Sequence, residues 1–290
     1  MTSAPGTPAR VLAGSPALTP LLLRGALLSP FKRPRPDAAF PPTRLVLPGL
    51  RVDLARLAAY ERVCGFPVGA DHLPVTYPHV LGFPTAMRLM SGRAFPLPLL
   101  GLVHTSIRIT RHHPVPATAA HELTVYVEEL LPHRRGTEAA VVTELRTDGA
   151  LTWESRSTYL ARHAVPDGTR PAPHPRPADD DHAELPALDT WHLPAGLGRR
   201  YGAASGDRNP IHLHPLTARP FGFPRAIAHG MWTAARCLAA QPLPGAAAVR
   251  ADFRAPVPLP GTVTHASDGS RFALLGPDGR LHLTGDVRPA

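Results

Sequence analysis

The sequence predicts an α+β fold made of two copies of one plan, and three observations carry the prediction. A landmark in the first half, Tyr60-x-x-x-Cys64-Gly65, recurs in the second as Tyr201-x-x-x-Ser205-Gly206. Each half then sets a histidine before apolar residues at helical spacing. These are His79 ahead of Val80, Leu81, Phe83, Met87 and Met90, and His229 ahead of Met231, Trp232, Ala235 and Leu238. After each helix pattern the apolar residues alternate as they do in half-buried strands, from Leu102 to Ile109 and from Val249 to Arg254. The turn dipeptides Asp148-Gly149, Asp268-Gly269 and Asp278-Gly279 break the later strands into hairpins. One long core helix followed by antiparallel strands, twice over, is the pattern of a sheet covering a helix in each half.

Composition agrees with a globular chain. Of 290 residues, 43% are hydrophobic and 18% charged, which excludes collagen, coiled coil and full disorder. Cys64 and Cys237 stand far apart with no metal-ligand spacing, so no disulfide framework or zinc finger is expected, and a reducing, cytoplasmic setting is. The net charge of +9 rests on arginine, Lys32 being the single lysine. A basic surface favours anionic partners such as nucleic acid, an anionic membrane or a phosphorylated ligand. No nucleic-acid-binding motif or basic-aromatic stripe is present, so nucleic acid is not an expected partner. The best early apolar run, Leu18 to Leu28, is broken by Pro20 and Arg24 and falls short of the roughly 18 residues of a membrane helix. Neither a membrane span nor a secretory leader is expected.

Four segments follow. Residues 1–40, rich in Pro, Ala, Gly and Arg, read as a flexible arm whose Leu21-Leu22-Leu23 tucks against the body. Residues 41–165 form one domain and 187–290 a second. Between them, 166–186 holds six prolines and Asp179-Asp180-Asp181 and reads as a linker.

The repeat is unequal where the chemistry is densest. Nineteen positions separate Tyr60 from His79, but twenty-eight separate Tyr201 from His229. The longer interval holds Ser205-Gly206-Asp207-Arg208-Asn209-Pro210-Ile211-His212. Asn209-Pro210 forces a bend there, and a bend can aim Asp207 and His212 at one point. A carboxylate and an imidazole converging on one water form a general acid/base pair near neutral pH. Gly230 stands at the expected start of the second core helix, where first-turn N–H groups lack intrahelical acceptors. An amide there can stabilise a thioester oxygen, a kind of donor whose loss costs on the order of 3 kcal/mol. Read singly, Gly230 is equally a helix-start glycine, Asn209 a turn former and His229 a hydrogen-bonded core residue. His212, His214 and His229 have no ligand spacing, so no metal is expected.

As a whole, Ser205-Gly206-Asp207-x-Asn209-Pro210-Ile211-His212, then Gly222-Phe223 and Ile227-Ala228-His229-Gly230-Met231, resembles the hydratase 2 motif of the MaoC-like dehydratases. The likeness runs without interruption from Tyr201 to Ala240. Leu73 to Pro78 and Leu130 to Gly136 resemble the two-domain actinobacterial 3-hydroxyacyl-thioester dehydratases. The resemblance implies a double hot-dog fold, two tandem domains that are each a curved antiparallel sheet around a long helix. It implies a hydro-lyase interconverting trans-2-enoyl and (R)-3-hydroxyacyl thioesters of CoA or acyl carrier protein. Asp207 and His212 match the family's catalytic pair and Gly230 its oxyanion donor. Ser205, Asn209, Tyr201 and His229 match supporting positions. No cofactor or metal is implied, and the chain is expected as a monomer or homodimer. Leu238 stands where some relatives have serine. The first half lacks an Asn-Pro-x-His element and has Val80 in place of Gly230, so it is expected to be non-catalytic. Arg199-Arg200 and Arg134-Arg135 are candidate phosphate contacts. A hot-dog thioesterase and a non-catalytic acyl-thioester-binding protein stay open as alternatives.

Overall fold

The computed structural model describes residues 8–165, 182 and 184–290. In chain order its strands are β1 (Ala9–Val11), β2 (Arg44–Arg51), β3 (Val103–Arg111), β4 (Ala120–His133), β5 (Gly136–Thr147), β6 (Ala150–Arg162), β7 (Ala187–Leu193), β8 (Ala247–Phe253), β9 (Gly261–Ser267), β10 (Arg271–Leu275) and β11 (Leu281–Pro289). The helices are α1 (Leu18–Leu28), α2 (Leu54–Cys64), α3 (Tyr77–Met90), α4 (Leu197–Ser205), α5 (Pro215–Ala218) and α6 (Gly230–Ala239). Short 3-10 turns occupy Ser29–Phe31, Pro210–His212 and Arg219–Phe221. Among the described residues no helix is long and apolar enough to cross a membrane.

The chain divides into two compact units. The first draws on Met1–Arg51, Pro78–Thr105 and Thr118–His174, the second on Val52–Tyr77, Ser106–Ala117 and Pro175–Ala290. In the first unit β2, β4, β5 and β6 are neighbours in an antiparallel ladder, and β1 adds in parallel to β2. The β5–β6 hairpin closes on Asp148 (φ 51°) and Gly149 (φ 81°), the left-handed pair its two-residue turn demands. Leu123, Val125, Leu145 and Trp153 are fully enclosed, and α3 lies so close to β5 that a Cβ on Gly82 would come 2.8 Å from Thr143.

In the second unit β3, from Ser106 onward, pairs with β8, and the order continues β11, β10, β9, β7, antiparallel throughout. Asp268-Gly269 turns β9 into β10, and Asp278-Gly279 turns β10 into β11. Helix α6 packs on β10 and β11 through an almost wholly buried surface that includes Met231, Trp232, Ala235 and Leu238. Both copies of the repeated landmark are helices ending on a left-handed glycine, α2 at Gly65 (φ 83°) and α4 at Gly206 (φ 84°). The helices pair through buried Tyr60 and Tyr201, whose rings are 5.9 Å apart, and through Arg56 Nε, which donates to the Ala204 carbonyl.

This pairing groups the chain differently from the segments read from the sequence. Residues 52–77 and 106–117, assigned there to the first domain, pack with the C-terminal residues, because α2 pairs with α4 and β3 with β8. The arm expected over 1–40 also differs. Leu12 donates to the Val46 carbonyl, and α1 buries Leu21 and Gly25 while leaving Leu23 exposed. Of the linker expected over 166–186, residues 166–181 and 183 lie outside the described residues.

Candidate active site

The bend after α4 is held by a chain of side-chain to backbone bonds. Ser205 Oγ accepts the Asp207 N–H at 3.2 Å, Asp207 Oδ1 accepts the Asn209 N–H at 3.1 Å, and Asn209 Oδ1 accepts the Ile211 N–H at 3.4 Å. Short polar side chains close their own turns in this way between Gly206, where α4 ends, and the 3-10 turn that Pro210 opens. The bend then folds back on α4. A Cβ on Gly198 would come 1.9 Å from the His212 carbonyl oxygen, and one on Gly202 would come 2.8 Å from that of Asp207. Four residues apart in a helix, these glycines share a face, and only a side-chain-free face admits the two carbonyls. Arg199 secures the far end by donating from Nη1 to the Leu213 carbonyl at 2.9 Å.

His212 is 8% exposed, and its Nδ1–H donates to the Ile227 carbonyl at 2.8 Å. A carbonyl only accepts, so the proton of the neutral ring sits on Nδ1 and the lone pair on Nε2. His229, 2% exposed, adopts the other tautomer by donating from Nε2 to the Asp207 backbone oxygen at 2.9 Å. The same Nε2 is 3.9 Å from Asp207 Oδ2. The two imidazoles stack at 3.7 Å with a 26° tilt, and Tyr201 lies against His229 at 4.7 Å. Asp207 keeps 30% of its side-chain surface open. Carboxylate and rings thus face one spot, their donor atoms all within 4.8 Å of one another.

Burial dominates the electrostatics. It holds the pKa of His212 below the usual imidazole value, against opposing pulls from the Asp207 charge and the bond to Ile227. His229 lies well below that value, because of its burial first and then the neighbouring His212. Both rings are neutral at pH 7.

Gly230 is the first residue of α6, directly after His229, and its N–H has no acceptor among the described residues. The Phe253 ring would lie 3.0 Å from a Cβ at this position. The sequence-predicted residues Tyr201, Ser205, Asp207, Asn209, His212, His229 and Gly230 therefore occupy one neighbourhood in the second unit. His214 is apart in role, its Nδ1 accepting the Leu216 N–H at the start of α5. Arg134 and Arg135 sit in the exposed β4–β5 turn of the first unit. Gly198, Gly202 and Phe253 escaped the sequence reading. The glycine pair had a signal in its i, i+4 spacing, whereas Phe253 had none, since only the fold brings β8 to the start of α6.

A largely antiparallel ladder and a core helix in each unit, with a carboxylate–imidazole bend leading into the second helix, define a hot-dog protein of the hydratase kind. The MaoC-like domain family matches residues 196–267, a span holding every site residue named from Tyr201 to Gly230. The 3-hydroxyacyl-thioester dehydratase X of Mycobacterium tuberculosis is 36% identical over 274 residues, covering 92% of this chain and 96% of that protein. The crystal structure of HtdX from Mycobacterium tuberculosis superposes with a TM-score of 0.73 at 33% identity, over 85% of this chain and 100% of the other. A MaoC-like dehydratase from Phytophthora capsici shares the fold, with a TM-score of 0.66 at 15% identity over 85% of this chain and 95% of its own. The chain belongs to the MaoC-like dehydratase family, and its fold is the double hot-dog.

Two outcomes follow from this geometry. Gly198→Ala is favourable for helix propensity, yet it must push the His212 carbonyl away, so turnover should fall about a hundredfold for a displacement near 1 Å. Steady-state kinetics beside a thermal melt checks this, and unchanged turnover would refute the packing argument. Because folding depresses both imidazole pKa values, the unfolded chain binds protons more readily. The stabilisation is therefore full above the ordinary value of 6.5 and fades as pH falls through the folded values. Denaturant midpoints should drop in acid, and His229→Phe should shift that acid limb to lower pH.

Proposed function

We propose that Asp207, His212 and Gly230 carry out the reversible hydration of a trans-2-enoyl thioester to the (R)-3-hydroxyacyl thioester, making this protein a hydro-lyase of lipid metabolism. The observation that carries the reading is the tautomer of His212. Its Nδ1–H is committed to Ile227, which leaves the lone pair on Nε2 of a ring that has one nitrogen within 4.8 Å of an Asp207 carboxylate oxygen.

In the hydration direction a water is held between Asp207 and His212. As its oxygen bonds to C3, His212 Nε2 takes a proton, and the C2=C3 π electrons move into the thioester carbonyl. The unpaired Gly230 N–H, at the positive end of α6, meets the enolate oxygen that forms. The proton is then delivered to C2 and the carbonyl is restored. Dehydration runs the same steps backward. The thioester is the electron sink, so the acid/base pair and one amide suffice without a cofactor. His229 keeps both partners in register, by its bond to the Asp207 carbonyl and its stack on His212. Ser205 and Asn209 support the bend, and Tyr201 floors the stack.

The substrate is a CoA or acyl carrier protein thioester, and the setting is cytoplasmic, with the protein a monomer or homodimer. The first half is non-catalytic. There Val80 is the fourth residue of α3, whereas Gly230 is the first of α6, and it carries a branched side chain where Gly230 has none.

Asp207→Asn and His212→Ala should each keep the fold and lower crotonyl-CoA hydration by about 10²- to 10⁴-fold. The enone absorbance follows the reaction, and near-normal rates in both variants would overturn the assignment. A thiol reagent in the same assay should detect no free CoA, whose release would mark a thioesterase. Dialysis against EDTA should leave the rate unchanged. Loss of activity restored by zinc would instead make Asp207, His212 and His229 a metal centre.

A further inference from the structure

The helix α1 and the 3-10 turn Ser29–Phe31 present an apolar stripe that nothing above uses. The inward face is firmly placed. Leu21 is buried, and Gly25 packs so closely that a Cβ would come 2.3 Å from Leu99. Ser29 Oγ donates to the Gly25 carbonyl at 2.7 Å and accepts the Leu100 N–H at 3.0 Å. Just beyond the turn, Lys32 Nζ donates to the carbonyls of Gly92, Arg93 and Phe95. With one face fixed, the opposite face is held outward.

That outward face has the wrong chemistry for water. A surface helix normally turns charged and polar residues to solvent. Here Leu23, Leu27 and Phe31 recur every four residues and are 63%, 74% and 78% exposed. Helix α1 has no acidic residue, and its sequence LTPLLLRGALL contains one charge, Arg24. Exposed Arg33 and Arg35 follow the turn, and Asp37, 3.9 Å from Arg35, is the single acidic residue in the first 52 positions. A large apolar stripe edged by cations asks for a cover that is apolar within and negative at its rim.

We propose that this stripe docks on an anionic lipid surface, Leu23, Leu27 and Phe31 entering the acyl boundary while Arg24, Arg33 and Arg35 meet the phosphates. A second copy of the chain fits less well, because a two-fold contact would set Arg24 and its neighbours against their own counterparts. Nucleic acid would satisfy the arginines and leave the leucines uncovered. An enzyme acting on acyl thioesters gains by this docking a position at the membrane face.

The experiment is co-sedimentation of the full chain with vesicles of phosphatidylglycerol or of phosphatidylcholine, at low and high salt, beside sedimentation velocity without lipid. The chain should pellet with phosphatidylglycerol at low salt, weakly at high salt, and not with phosphatidylcholine. The triple change Leu23→Ser, Leu27→Ser, Phe31→Ser should abolish pelleting. Arg24→Gln, Arg33→Gln, Arg35→Gln together should weaken it about a hundredfold, from about 1 kcal/mol for each cation at an anionic surface. Both variants should hydrate crotonyl-CoA at the parent's rate, which reports that they fold. Failure of the parent to pellet, equal pelleting with both lipids, pelleting that survives the triple serine change, or a parent dimer that this change splits would each overturn the proposal. The last result would assign the stripe to self-association.

Discussion

The bond from His229 Nε2 to the Asp207 carbonyl ties the residue before α6 to the bend after α4, and with it the two halves of the chemistry. One end of that link is adjacent in sequence to the amide of Gly230. The other end is the backbone of Asp207, whose carboxylate lies beside His212. The companion bond, from His212 Nδ1 to Ile227, joins the same two segments in the opposite direction. Two imidazole-to-carbonyl bonds thereby cross-brace the bend against the approach to α6, fix both tautomers, and leave one basic nitrogen for the reaction. Neither bond would survive a shift to the opposite neutral tautomer or a ring flip.

Burying two neighbouring imidazoles is unfavourable for their charged forms, and this gives the site its acid/base character. Desolvation by burial lowers the His212 pKa and so favours the neutral ring. A cation formed there is answered by Asp207, whose negative charge raises the His212 pKa in opposition to burial. Beneath the rings the floor is aromatic, running from His229 to Tyr201 and on to Tyr60, whose hydroxyl meets Thr76 Oγ1 at 2.8 Å.

What could be read from the sequence was what local chemistry decides. Gly65 and Gly206 announced helix ends because left-handed backbone is strained for side chains. The three Asp-Gly pairs announced hairpins for the same reason, and Asn209-Pro210 announced the bend. The residues of the candidate site were legible because they cluster within one stretch of chain. Long-range packing was not. That residues 52–77 and 106–117 belong with the C-terminal unit depends on helix pairing and a strand ladder between segments more than a hundred residues apart, which no window of sequence contains. The order within the arm has a related origin. Its composition supplies little burial per residue, but Leu21, Gly25, Ser29 and Lys32 each find a partner in the loop near residues 91–100 or within α1, and docking supplies the order that propensity does not.

The unequal repeat shows how one plan yields one site. In the first half α3 begins at Tyr77, so His79 is its third residue, held by the helix itself and stacked on His104 at 5.6 Å. In the second half α6 begins three positions later in the matched register, at Gly230, so His229 stays outside the helix in extended backbone. That shift frees the His229 ring to reach back to Asp207 and leaves the Gly230 amide as a first-turn donor. The nine extra residues between the landmarks supply the bend it reaches. An early helix start places His79 inside α3, and the shorter connection has no room for a bend such as Asp207 to His212. On the proposed reading, the site of the second half depends on where its core helix begins as well as on the bend, and restoring a single residue such as Val80→Gly in the first half would recreate neither feature.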